Sequence, residues 1–343
     1  MKKAATSQKK KVLILFCGGT LVMEEDENGT LLPTSKERAI DILLGMEPRL
    51  NSRAELAVEY IDNIDSTNMR PEHWDRMADV IEKEYDNYDG FVITHGTDTM
   101  AYTASALSYS LQNLGKPVIL TGAQMPGSKM ETDARRNFVN AVQVATMDLS
   151  AIAIVFDEEI ILGARSSKVS ESKLNAFETI NWALLGEIRI DIRLSEDAKP
   201  RHSGKLNVQK GFESNIAVVT LIPGTPNDIL SALLERGVKG IVMRGFGPGN
   251  IASQYLDFIR EALAKKIPVV VHTQCMEGAT SMHLYDVGKQ ALDLGVIQSY
   301  DMSIEGVTTK LMWAIRHADS YEQIKEIMHT NYTGEINKEG KIY

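Results

Sequence analysis

Two threonines in this chain stand immediately after apolar runs. Gly18-Gly19-Thr20 ends the run Val12–Cys17, and His95-Gly96-Thr97-Asp98-Thr99 follows Phe91–Thr94. A buried strand emptying into a helix N-terminus is where an α/β protein usually keeps its chemistry. A threonine hydroxyl becomes a nucleophile once a base takes its proton. Two hydroxyls so placed suggest an attacker and its helper. A candidate base lies downstream in Arg165-Ser166-Ser167-Lys168, where Lys168 sits among apolar residues. A lysine held in such surroundings beside a hydroxyl and a carboxylate makes a proton relay. Asp65-Ser66-Thr67-Asn68 follows the run 55–61 and offers hydrogen-bonding groups suited to an α-carboxylate and α-amine.

Each cluster also has an ordinary explanation. Gly-Gly-Thr suits a tight turn with a capping threonine. Thr97 and Asp98 suit the N-cap of a helix, with the aspartate countering its dipole. The Asp65 group suits the approach to a helix opening at Pro71, and a lone lysine is most often solvated. Taken one at a time, these residues leave capping and catalysis both open. His95 reads as a structural histidine at a strand end.

Several chemistries are unsupported. The acidic stretch Glu24–Gly29 fails as a calcium loop, because its twelfth position is Ser35 rather than a bidentate glutamate; it suits a mobile lid. Gly245-Phe246-Gly247-Pro248-Gly249-Asn250 lacks dinucleotide spacing, and no phosphate-binding P-loop occurs. The seven histidines have no metal-ligand spacing. The reading is a hydrolase using no metal and no cofactor.

The elements that must position these residues alternate as strands and helices, the pattern of a mainly parallel sheet with crossover helices. Strands are expected at 12–17, 55–61, 89–94, 117–121 and 151–156, with helices at 35–45, 71–86, 99–114 and 131–147. A segment rich in Asp, Ser, Lys, Pro and Gly reads as a linker over 191–212. A second series follows, with strands at 216–222, 239–243, 268–272 and 296–297. Its helices fall near 226–236, 252–265, 285–294, 305–316 and 321–329. The expectation is an N-terminal tail (1–11), a larger α/β domain over 12–190 and a smaller parallel-sheet domain over 213–343.

The 343 residues carry a formal charge of −9, which argues against nucleic acid as a partner. No apolar run approaches the ~20 residues of a membrane helix. The basic tail lacks the apolar core of a signal peptide, and a cytoplasmic location is expected. Cys17 and Cys275 lie far apart and are expected as reduced, buried thiols.

Together, the stretches CGGTLVM, IDSTNM, THGTDTMAYTASAL, ARSSKV, RGFGPGN and TQCMEGATSMHLYDVG resemble the bacterial-type L-asparaginase family, its cytoplasmic type I branch in particular. They run in the family's order from residue 11 to about 335. The resemblance implies hydrolysis of L-asparagine through an acyl-threonine, in a homodimer or a tetramer of two dimers. It implies Thr20 as nucleophile, with Thr97, Asp98 and Lys168 as the second catalytic group, either threonine being arguable as first attacker. Substrate would be held by Gly19, Asp65, Ser66, Thr67, Thr97 and Asp98, with Ala123 lining the pocket near the leaving amide.

The chain departs from the family in places. Many members carry a tyrosine in the mobile loop, where this chain has Thr30; Tyr285, from the neighbouring subunit, is the candidate substitute. Cys17 replaces the usual threonine before Gly-Gly. Arg244 and Cys275 match positions of an allosteric asparagine site, with Ser167 where threonine is usual. Two rival readings remain. One is the asparaginase-like subunit of a tRNA-dependent amidotransferase, which normally has an extra N-terminal domain for which a strand starting near residue 12 leaves no room. The other is a non-catalytic amino-acid sensor.

Overall fold

The computed structural model describes residues 9–25, 31–32 and 34–338. Its larger unit is built on an eight-stranded sheet. Its strands are β1 (Lys10–Gly18), β2 (Ala54–Ile64), β3 (Gly90–Thr94), β4 (Val118–Thr121), β5 (Ile152–Phe156) and β6 (Glu159–Leu162). A separate two-stranded ribbon pairs β7 (Ser166–Lys168) with β8 (Phe177–Thr179). The sheet closes with β9 (Gly186–Ile188) and β10 (Ile192–Leu194), giving the order β10-β9-β6-β5-β4-β3-β1-β2.

β2, β1, β3, β4 and β5 run parallel, and the strands beyond β5 are antiparallel. The chain moves from β1 outward to β2 and then back past β1 to β3. That reversal makes the gap between β1 and β3 a topological switch point, where crossover connections diverge and leave a crevice beyond the carboxyl ends of the strands.

The central strands are buried on both faces, which is why they read as unbroken apolar runs. Along β1, Val12, Ile14 and Phe16 pack with Phe138, Ala141 and Val142 of α4 (Ala134–Ala145). Leu13, Leu15 and Cys17 turn the other way. They meet Met77 and Ile81 of α2 (Pro71–Glu84), and Ala104 and Leu107 of α3 (Met100–Ser110). The remaining helix of this unit is α1 (Lys36–Gly45).

The second unit is a parallel sheet of β11 (Ile216–Thr220), β12 (Gly240–Gly245), β13 (Val269–Thr273) and β14 (Ile297–Gln298), in that order. One face packs on α5 (Asn227–Glu235), α6 (Leu256–Ala264) and α7 (Asp286–Leu294). The other packs on α8 (Ile304–His317) and α9 (Tyr321–His329). Tyr109 of α3 joins this second core, and its hydroxyl donates to the Gly306 carbonyl at 3.0 Å.

Three local expectations are corrected. The helix expected over 99–114 stops at Ser110, because Leu111–Gln112 pairs antiparallel with Asn207–Val208. The stretch 191–212 carries edge strand β10, and the Arg201 guanidinium donates to the carbonyls of Met147 and Ala145 at 2.6 and 2.9 Å. Polar side chains that capture backbone carbonyls give no apolar period to read. Cys17 is buried as expected, but Cys275 is exposed in the loop after β13; both are free thiols. Among the described residues, no helix is long and apolar enough to cross a membrane.

Candidate active site

The loops after β1, β2, β3 and β4 meet at the switch point. Phe16 pairs with Thr94, so the two threonine-bearing turns leave the sheet side by side. Glycines let the turns touch. Gly19 has φ +95°, and a Cβ there would lie 2.7 Å from both Gly96 N and the His95 carbonyl oxygen. A Cβ on Gly96 would lie 2.7 Å from Ser66 Oγ. The backbone thus brings Gly19-Thr20, Ser66 and Gly96-Thr97 together at distances no larger residue allows.

Lys168 reaches this cluster from β7. Its Nζ donates to Thr97 Oγ1 at 2.8 Å and to Asp98 Oδ1 at 2.6 Å. The lysine side chain is 15% exposed, while that of Asp98 is 57% exposed. The trio is therefore buried at the lysine and open at the carboxylate. Neither Thr97 nor Asp98 caps a helix, since the turn 97–99 and α3 both start without a side-chain cap bond. Both side chains face the lysine instead.

The Asp65 carboxylate accepts from the Thr67 backbone N–H and hydroxyl, both at 2.9 Å. It caps the short turn 66–68; α2 has Arg70 at its N-cap. Ser66 is buried, and its carbonyl accepts the Thr99 hydroxyl at 2.7 Å. Ala123 is buried one residue before Gln124. Thr20 opens the turn Thr20–Val22, and no hydrogen bond ties its hydroxyl among the described residues. Thr30 lies outside the described residues.

His95 is fully engaged in structure. Burial pulls its pKa down to about 4, so the ring is neutral near pH 7. Trp74 donates to Thr103, Thr103 donates to His95 Nε2, and Nδ1–H donates to the Gly96 carbonyl at 2.7 Å. This one-way chain holds the end of β3 in place.

The remaining candidates lie in or against the second unit. Tyr285 is exposed beside α7, and its hydroxyl makes no hydrogen bond among the described residues. Arg244 donates to the Gln274 carbonyl at 3.3 Å, next to Cys275. Ser167 donates to Glu305 Oε1 at 2.7 Å. Burial pushes Glu305 above the usual carboxylate range, with Ser167 and the nearby Arg244 charge drawing it back.

Three partners escaped the sequence reading. Gln124 accepts the Thr97 hydroxyl at 3.1 Å. Arg165, fully buried, pairs with Asp301 at 3.0 Å and donates to the Gly334 carbonyl at 2.8 Å. Glu305 is the third. Gln124 was within reach of sequence reasoning, since it stands beside Ala123 at a strand end. The acidic residues lie 136 and 138 positions away from their partners, beyond any local pattern. Among the described residues, no group of three or more His, Cys, Asp or Glu is placed to hold a metal ion.

This fold recurs in known proteins. Residues 11–200 match the family model described as asparaginase, N-terminal, and 215–328 the glutaminase/asparaginase C-terminal domain. L-asparaginase 1 of Escherichia coli K12 is 37% identical over 334 residues, covering 96% of this chain and 98% of that protein. The solved thermostable L-asparaginase of Thermococcus kodakarensis superposes with a TM-score of 0.88 at 36% identity, over 95% of this chain and 99% of that one. A glutamyl-tRNA(Gln) amidotransferase subunit of Pyrococcus abyssi is 34% identical over 95% of this chain but 76% of its own length. The two-unit architecture and full-length similarity together show that this chain belongs to the asparaginase family.

Proposed function

We propose that this enzyme hydrolyses L-asparagine to L-aspartate and ammonia through an acyl-threonine. The observation that carries this is the contact of Lys168 with both Thr97 and Asp98 at the crevice where Gly19-Thr20 also ends. Thr97 is tied on two sides, by Lys168 and Gln124, whereas the Thr20 hydroxyl is untied among the described residues. A tethered hydroxyl suits the proton carrier, which leaves Thr20 as the attacker in this reading.

In this reading, Thr20 Oγ bonds to the side-chain amide carbon, the C–N bond breaks, and nitrogen leaves as ammonia carrying the hydroxyl proton. Water then adds to the ester carbon, and Thr20 recovers a proton as aspartate departs. Thr97, Asp98 and Lys168 move the protons. Ser66 and Asp98 hold the substrate's α-carboxylate and α-amine, the Asp65–Thr67 pair shapes that turn, and Ala123 lines the pocket near the leaving nitrogen.

The reading includes a homodimer, or a tetramer of two such dimers, with Tyr285 of one subunit completing its neighbour's site, and a cytoplasmic setting. It divides the chain into a larger N-terminal unit, which takes in β10, and a smaller C-terminal one. Ammonia release by the purified chain tests it: asparagine turnover without any partner protein is expected. Turnover of glutamine only with a partner points to the amidotransferase subunit, and binding without turnover points to a sensor.

One observation favours regulation as well. Among the described residues, Glu305 Oε2 and Arg244 Nε are buried with no hydrogen-bond partner. An acid and a base both short of partners suit a zwitterionic effector, with Ser167 and Cys275 beside them. Rate against asparagine concentration is then sigmoidal and turns hyperbolic in Arg244→Ala. A hyperbolic wild-type curve removes this reading.

A further inference from the structure

Among the described residues, Gln124 is the one side chain that bonds both the Thr97 hydroxyl and the segment that follows the relay lysine. Its Nε2 faces the carbonyl oxygens of Glu171 and Lys173 at 3.0 and 3.1 Å, with that of Ser170 at 3.5 Å. Carbonyl oxygens only accept, so the amide must turn its NH₂ toward them. Its oxygen therefore faces Thr97, at 3.1 Å from Oγ1.

This orientation decides where the Thr97 hydrogen points. Lys168 Nζ donates to Oγ1 at 2.8 Å, so the hydroxyl hydrogen cannot lie along that line. It lies toward Gln124 Oε1, an acceptor with no hydrogen of its own. One lone pair of Oγ1 takes the lysine's hydrogen, and the other is left for a molecule in the crevice. Thr97 is thereby set as an acceptor toward the reacting centre. A nucleophile that donates its hydrogen to Thr97 keeps its own lone pair free for the carbonyl carbon.

The backbone beneath Gln124 is fixed as well. The buried Asp133 carboxylate accepts from the Gln124 and Met125 N–H groups, each at 3.0 Å, and from Asn137 Nδ2 at 2.9 Å. The amide thus stands on a rigid base, as a group that orients another must.

We propose that Gln124 is a positioning residue, which holds the Thr97 hydrogen away from the crevice so that the Thr97 oxygen accepts a hydrogen bond from the nucleophile and orients it. This rests on the asparaginase reading above. The test compares Gln124→Met with Gln124→Glu in the full-length enzyme. Both lose the donors to 171 and 173, but only the glutamate keeps an oxygen acceptor for Thr97. Gln124→Met is expected to lower kcat about 10- to 100-fold while KM changes less than about threefold. Gln124→Glu is expected to retain kcat within about fivefold of wild type. A purely structural clamp on 170–173 makes both variants fall equally, and that result overturns the proposal. So does a Gln124→Met enzyme as fast as wild type. If wild type itself releases no ammonia from asparagine, the functional reading fails instead, and the two failures are told apart by that control.

Discussion

Replacing Thr20 with alanine is expected to lower kcat for ammonia release from asparagine by at least about a thousandfold. Substrate affinity should change little. The geometry supports both halves of this expectation. Among the described residues the Thr20 hydroxyl has no hydrogen-bond partner to lose, and the turn that carries it is set by Gly18 and Gly19, with φ of +90° and +95°. Alanine at 20 therefore leaves the backbone and the Lys168–Thr97–Asp98 group in place. Equilibrium binding of aspartate, measured by calorimetry beside the kinetics, separates loss of the nucleophile from loss of the pocket. An alanine variant within tenfold of wild type would transfer the attack to Thr97.

The second large effect concerns stability. Lys310 and Glu335 pair at 2.6 Å with both side chains fully buried. Burial pulls the lysine below its ordinary range. For Glu335, burial pushes upward but is outweighed by Lys310 and by backbone N–H donors, which leave it below the usual carboxylate range. The glutamate also accepts from the N–H groups of Tyr332 and Thr333, and the lysine donates to the Thr330 carbonyl.

Removing one member of such a pair leaves a charge buried without its counter-ion. Lys310→Met is expected to cost about 3–5 kcal/mol in urea unfolding. Adding Glu335→Gln should recover part of that loss, because the amide oxygen still accepts from the two N–H groups and carries no charge. A single variant within about 1 kcal/mol of wild type, or a double variant worse than the sum of the two singles, would show that the two charges do not depend on each other in this way.

Much of the parallel framework was legible because burial on both faces forces continuous apolar runs. β1 and β3 read directly from the runs expected at 12–17 and 89–94. Position relative to those runs also made Thr20, Thr97 and Ser66 legible as candidates. Less was visible where strands are short. β7 to β10 have three residues each, too few to show alternation. Long-range partners were hidden for a different reason. That Lys168 meets Asp98 depends on how a ribbon after β6 folds back over the switch point, which no local pattern encodes. Gln124 lay in plain view next to Ala123, but its role emerges only once the carbonyls of 170–173 are beside it. The cap explanation for Thr97 and Asp98 was equally sound on sequence grounds, but neither side chain makes a cap bond, and both bond Lys168 instead.

The acyl-threonine can be located directly by quenching the enzyme in acid during asparagine turnover and mapping its peptides by mass spectrometry. A β-aspartyl ester is expected on the peptide that carries Thr20, and none on that peptide from the Thr20→Ala enzyme. An ester on the peptide that carries Thr97 instead would contradict attack by Thr20.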